Sequence, residues 1–166
     1  AYKILRSTGY EIPPPPPPVT FIKADYEDYW LAENQDRITD NVWITRANNQ
    51  GLFNAAQEAG YSSSGPYGTE WAIGSFEYIG TLYFQSFYYC LSGQIGDQLL
   101  GNIIPNNQTM LLHLTEEDIY YEVQFHSWTS GGSGGGFSYT RTDEAGVSVS
   151  SYSLIETLND KNISTF

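Results

Sequence analysis

The chain has 166 residues, about one domain, which suffices to bury a core without disulfide staples. Seven basic residues stand against nineteen acidic ones, a formal charge of −12. A phosphate-binding surface needs the opposite sign, so nucleic acid and anionic membrane surfaces are disfavoured partners. Cations, neutral sugars and other copies of the chain remain. Cys90 is the only cysteine, so no internal disulfide forms, and its flank Phe87-Tyr88-Tyr89-Cys90-Leu91 reads as a buried, inert thiol. No run approaches the ~18 apolar residues of a membrane-spanning helix. Low lysine, abundant Tyr, Ser, Thr, Asn and Gly, and the acidic balance suggest a secreted, extracellular or cell-surface protein. The chain starts at Ala1 with no charged-then-apolar leader, and the expectation is that a signal peptide has been removed or the chain trimmed.

Residues 1–12, AYKILRSTGYEI, alternate like a strand. Tyr2, Ile4, Tyr10 and Ile12 share one face with Arg6 and Thr8 between them; Leu5 lies on the other, more polar face. Pro13, Pro14, Pro15, Pro16, Pro17 and Pro18 follow. Proline fixes φ and lacks an N–H, so the run reads as a polyproline II rod, roughly 19 Å long at about 3.1 Å per residue. A lone strand is unstable in water because its backbone needs a sheet. A strand on a rod therefore reads as a donor strand for a neighbouring copy. Such a contact runs head-to-tail and propagates into a filament where its rotation does not close a ring.

The body spans residues 19–166. VTFIK (19–23) is a short strand, and residues 23–41 read as an acidic, irregular loop. NVWITR, QGLFN and GTEWAIG are short strand-like segments, and LFNAAQEA (52–59) is a candidate helix of one or two turns. YIGTLYFQSFYYCL reads as strand passing into short helix, and residues 92–108 as a loop. TMLLHL and DIYYEVQFHSW form a hairpin joined through Thr115, Glu116 and Glu117. In its second strand Ile119, Tyr121, Val123 and Phe125 face one way, and Tyr120, Glu122, Gln124 and His126 the other. SGGSGGG reads as a flexible loop, FSYTR as a strand, and GVSVSSYSLIETL as a possible last strand. Many short strands with frequent turn signals predict an all-β fold, an antiparallel β-sandwich of jelly-roll-like type.

The segments ENQDRITDNVWITR (33–46), QGLFNAAQEAGY (50–61), GTEWAIG (68–74) and LLHLTEEDIYYEVQFHSWTSGGSGGGFSYTR (111–141) resemble a domain family of secreted bacterial proteins, often from aquatic species. The resemblance covers about residues 21–141. It implies a secreted, all-β, adhesin- or matrix-like module with no assigned catalytic activity, and no functional residue is carried over from it.

Constellations for catalysis are weak. His113 and His126 fall on paired strands, but no G-x-S-x-G elbow accompanies them, and no zinc-ligand spacing occurs. The expectation is a non-enzyme. Asp25, Glu27, Asp28, Glu33, Asp36 and Asp40, with Asn34 and Asn41, offer oxygen ligands on an irregular loop, which suits Ca²⁺, although the EF-hand pattern is missing. The competing reading is a solvated acidic loop with Arg37 pairing one carboxylate. Fourteen tyrosines and four tryptophans also suggest an adhesion module that stacks aromatic rings on extracellular polysaccharide, though core packing accounts for most of them. Asn107 and Asn162 head N-x-S/T glycosylation sequons that chance alone would supply. Residues 1–12 point to the first expectation, a structural subunit whose partners are identical copies.

Overall fold

A computed structural model describes residues 16–92 and 100–143. Eight strands run in chain order: β1 (Val19–Lys23), β2 (Asp36–Arg37), β3 (Trp43–Arg46), β4 (Leu52–Asn54), β5 (Thr69–Ile73), β6 (Met110–Leu114), β7 (Ile119–Trp128) and β8 (Phe137–Asp143). Two short helices, α1 (Phe87–Leu91) and α2 (Leu100–Ile103), and two 3₁₀ turns, Ala32–Asn34 and Phe76–Thr81, lie between them. The fold is all-β, and every strand pairing is antiparallel.

The larger sheet has the order β1-β8-β7-β6-β5, and the smaller β2-β3-β4. The β6–β7 hairpin forms where alternation is cleanest. Tyr121, Val123 and Phe125 point into the core, while His126 on the opposite face is exposed. Asp118 closes the turn with φ 55, a left-handed conformation that Asp tolerates better than most residues. A bulge between Phe125 and Ser127 shifts the register, so Trp128 returns to the core side opposite Phe137.

Both sheets feed one core. Trp71, Leu112, Val123, Phe125, Phe137 and Tyr139 of the large sheet meet Val42, Ile44 and Leu52 of the small one, with α1 and α2 adding Phe87, Leu91, Leu100 and Ile103. Trp71 lies against Phe87 at 4.9 Å, and Phe125 against Tyr139 at 5.4 Å, both edge-to-face. The opposite face of the large sheet is partly covered too. Residues 76–84 cross β5, β6 and β7, placing Phe84 5.7 Å from Tyr120 and the Phe76 N–H 2.9 Å from Glu122 Oε1. Leu111 and Ala72, on that face, are consequently buried.

Four expectations change. LFNAAQEA is not a helix: Leu52–Asn54 is a buried strand followed by a turn. The reason is Asn54, fully buried, whose Oδ1 accepts from the Trp43 and Ala56 N–H groups and whose Nδ2 donates to the Asn41 and Tyr67 carbonyls. Its side chain completes the ladder that a helix would have abandoned. The strand expected at the start of YIGTLYFQSFYYCL is largely a 3₁₀ turn; only its helical end, α1, forms as read. The stretch 92–108, read as loop, contains α2. Finally, the second half of the glycine run is packed, while residues 130–133 are exposed. Gly134, Gly135 and Gly136 are buried, and a Cβ on Gly135 would stand 1.9 Å from the Ala47 carbonyl oxygen. The strand expected within residues 146–158 lies outside the described residues, as do residues 1–12 and Pro13, Pro14 and Pro15. Pro16–Pro18 are exposed and belong to no strand or helix.

Candidate functional site

The two edges of the large sheet are finished differently. At β5, the outer edge is closed: Trp71 and Gln85 exchange backbone hydrogen bonds of 2.6 and 2.9 Å. At β1, among the described residues, no backbone group pairs with the outer edge. Open edges are templates for further strands. This one is also apolar, with Val19 41% and Ile22 68% exposed. On its inner side β1 is firmly held. Phe21 packs 5.5 Å from Phe137 and 6.1 Å from Tyr139, and Thr20 and Thr140 hydroxyls meet at 2.9 Å.

The Lys23 end of β1 is anchored by charge and by glycine. Lys23 is 2% exposed, and its Nζ donates to the Ala24 carbonyl at 3.3 Å. Burial, and then the charge of Arg46, lower its pKa, while Asp25 and Glu27 act in the opposite sense. Asp25 Oδ1 accepts the Gly136 N–H at 2.8 Å, and the Tyr26 N–H donates to the Gly134 carbonyl at 2.8 Å. A hydrogen bond from Thr129 and that from Gly136 hold the Asp25 carboxyl below its ordinary pKa. Arg46 donates to the Gly136 carbonyl and lies 3.6 Å over the Trp128 ring. Burial lowers its pKa to about 10 against the opposing pull of Asp25. The glycine loop is thus the mortise into which the end of β1 fits. Composition alone reads it as a flexible loop; the close approach of Ala47 and Asp25 requires glycine at 134–136.

The expected calcium ligands are not brought together. Asp36 accepts a bidentate pair from Arg141, 2.8 and 3.0 Å, and the Tyr139 hydroxyl at 2.6 Å. Asp25 serves the glycine loop, and Asp28 Oδ1 accepts the Trp30 N–H at 2.9 Å. Glu27 and Asp40 are exposed. Among the described residues no group of three or more His, Cys, Asp and Glu side chains is arranged to hold a metal ion. Among the described residues Arg37 pairs with no carboxylate: it donates to Gln35 Oε1 and covers Trp43 at 4.0 Å. The cation that pairs with an acid of this stretch is Arg141 on β8, more than a hundred residues from Asp36 in sequence.

The other singled-out groups are structural in character. His113 is stacked 4.1 Å on Tyr120, with Nε2 2.8 Å from Asp118 Oδ1 and Nδ1 3.4 Å from Glu70 Oε2. His126 Nε2 lies 2.7 Å from the Thr140 hydroxyl on the exposed face. Cys90 is buried, and burial pushes its thiol up to about 12.

Sequence reasoning missed a cleft of about 360 Å³ beside α1 and α2. Tyr61, Phe87, Tyr88 and Trp128 supply rings, Leu91 and Leu100 aliphatic wall. Among the described residues no charged side chain lines it. The aromatic run at 87–89 was its only signal, because Tyr61 and Trp128 reach it from distant segments.

Among the described residues these features define an acidic, antiparallel β module whose large sheet has an open apolar edge at β1, with an aromatic cleft beside α1 and α2. Compared with family models, curated proteins and solved structures, the chain matches none.

Proposed function

We propose that the chain is a secreted, non-catalytic structural subunit. In this reading its two sheets pack as a jelly-roll-like sandwich, and copies join head-to-tail into an extracellular filament. Residues 1–12 of one copy add as a strand to β1 of the next, and the proline rod sets the spacing. The observation that carries the reading is the β1 edge, apolar and without a backbone partner among the described residues. Its counterpart at β5 is closed by Gln85, so the sheet offers growth on one side.

Charge supports the same pairing and suggests its direction. Lys3 and Arg6 make residues 1–12 net cationic against Glu11, in a chain with only seven basic residues. The described cations of the body are committed elsewhere: Lys23 and Arg46 buried, Arg37 on Gln35, Arg141 on Asp36. The Lys23 end of β1 runs straight into Asp25, exposed Glu27 and exposed Asp28. An antiparallel donor sets Lys3 toward those carboxylates; a parallel one sets Glu11 there, which like charges disfavour. Burying Tyr2, Ile4, Tyr10 and Ile12 contributes on the order of 1.5–3 kcal/mol each where the burial is complete. Ordering the donor opposes this by about 1–2 kcal/mol per residue. The edge must therefore be preformed, and β1 is held in place by β8 and by the glycine loop.

The test is the assembly state of the full chain by light scattering and negative-stain microscopy. Polymers are expected from the wild type. Deletion of residues 1–12, Ile4→Asp on the donor, or Ile22→Lys on the acceptor should each yield monomer. Wild-type protein that stays monomeric at high concentration refutes the reading, as does polymer from the deletion. Exposed Tyr67, Tyr83, Tyr88 and Tyr89 support a second reading, an adhesion module for neutral polysaccharide. A flat tryptophan-fluorescence titration across a glycan panel would end it.

A further inference from the structure

The cleft beside α1 and α2 is unrelated to the β1 edge and has a chemistry of its own. Its volume, about 360 Å³, lies in the range of small-molecule sites. Phe87, Leu91 and Leu100 are buried at its base, and Tyr88, 49% exposed, stands at its rim. The Tyr61 ring is set by the absence of a side chain opposite it: a Cβ on Gly51 would come within 2.6 Å of Tyr61 Cε2. Burial, with a smaller contribution from Tyr88, raises the Tyr61 phenol pKa, as expected for a ring turned into an apolar surrounding. Trp128 is pinned by the Arg46 guanidinium at 3.6 Å and by Phe87 at 6.1 Å. The rings are therefore placed before any ligand arrives.

We propose that this cleft binds one uncharged aromatic small molecule, of the size of a phenol or an indole. An anion is disfavoured by the strongly acidic chain, and a cation would give up its hydration with no carboxylate facing it among the described lining residues. A pyranose fits its chemistry poorly. Every sugar hydroxyl taken from water needs a partner, and an unpaired one costs about 1–3 kcal/mol. The side-chain hydroxyls here are those of Tyr61, Tyr88, Ser92 and Ser130, and Ser92 already donates to the Tyr88 carbonyl. An extended peptide is disfavoured by its backbone, which needs an edge to pair with; the walls here are mainly helix and loop side chains. A flat ring needs neither. It gains edge-to-face or offset contacts with Phe87, Tyr88 and Trp128.

The probe is p-cresol, titrated into the full chain by calorimetry. Methyl β-glucopyranoside and a synthetic peptide of residues 1–12 run as separate arms. Saturable p-cresol binding with a Kd of about 1 mM or tighter is expected, as a ligand this small allows. Gly101→Phe projects a ring into the cleft from a position where a Cβ meets nothing within 4 Å. It should weaken binding at least about tenfold at an unchanged melting temperature. Should that variant misfold, Tyr88→Ala at the exposed rim reports the same loss. Absence of saturable binding overturns the proposal, and so does binding untouched by both variants. Tighter binding of the glucoside assigns the cleft to sugar instead. Displacement of p-cresol by the peptide makes the ring a tyrosine of a neighbouring copy, and the small-molecule assignment falls.

Discussion

Arg141 on β8 and Asp36 on β2 form a bidentate ion pair, Nε–Oδ2 2.8 Å and Nη2–Oδ1 3.0 Å, that ties the large sheet to the small one. The side chains are 13% and 6% exposed, so the pair is close to dry. Tyr139 adds a third hydrogen bond to Asp36 from within the core. Burial lowers the affinity of Arg141 for its proton, but the hydrogen bond and charge of Asp36 outweigh it, and the pKa ends above its ordinary value.

Removing both partners should therefore cost less than the two single losses together. Asp36→Asn leaves a guanidinium buried without its counter-charge and should destabilise by about 3–5 kcal/mol. Arg141→Met leaves the carboxylate unpaired in the same way, and the double variant Asp36→Asn/Arg141→Met should recover part of the summed loss, because no charge is then buried and the amide oxygen at position 36 still accepts the Tyr139 hydroxyl. Urea unfolding of the two single variants and the double closes the cycle. Additive losses would show that the pair is not coupled.

Gly135 has φ +70, and a Cβ there meets the Ala47 carbonyl at 1.9 Å. Left-handed strain and a backbone clash together predict that Gly135→Ala lowers stability by about 2–4 kcal/mol. Gly101→Ala, helical and facing open space, should be neutral or stabilising by about 0.5–1 kcal/mol. Equal effects at the two positions, read from denaturation midpoints, would show that the glycine loop is not the rigid seat described.

How much of this was legible in the sequence depends on range. β1, β6, β7 and β8 are readable because period-two alternation and turn residues are local signals. Thr45 defeats the same logic: it is fully buried, since Asn34 and its neighbours cover the second face of the small sheet and accept its hydroxyl. LFNAAQEA is rich in helix formers, yet the four hydrogen bonds of Asn54 outweigh propensity. The acidic residues of 25–40 cluster in sequence but disperse in space. Asp36 turns to β8, Asp25 to the glycine loop, and nothing near either residue in the chain announces those partners.

Acid should loosen the molecule through two carboxylates whose folded pKa values are depressed. Asp25 is held down by Thr129 and Gly136, and Glu117 by the Thr39 hydroxyl at 2.6 Å and by Asn41 at 3.3 Å. For a depressed acid, the stabilisation is complete above its unfolded pKa and is lost as pH falls through its folded one. Stability should therefore hold at neutral pH and decline below about pH 4. Asp25→Asn/Glu117→Gln should be less stable at pH 7 and lose less between pH 7 and pH 3. Parallel pH profiles for variant and wild type would rule out these two groups.

Cys90 offers a simple probe of burial. A thiol pushed up to about 12 is almost entirely protonated at pH 8, and the thiolate is the reactive form. Ellman's reagent should label the native protein at a small fraction, below about one hundredth, of the rate in 6 M guanidinium. Prompt labelling of the native state would mean that α1 opens readily.

The proposed antiparallel docking makes assembly depend on salt in a definite way. Lys3 and Arg6 are to meet Glu27 and Asp28 at the exposed end of β1, where screening acts within a Debye length of about 10 Å at 0.1 M salt. Rim charges chiefly set association rate, so raising salt from 0.05 to 0.5 M should slow elongation about tenfold while leaving grown filaments intact. Lys3→Glu should slow it further at low salt, and Glu27→Lys in the same chain should restore the rate. Glu27 is the residue to reverse because it is exposed and its side chain, unlike those of Asp25 and Asp28, makes no hydrogen bond among the described residues. A parallel donor predicts the opposite partner, since Glu11 would then stand at that end and Glu11→Lys alone would accelerate growth. Elongation rates of the four chains, followed by light scattering at both salt concentrations, decide between the two directions.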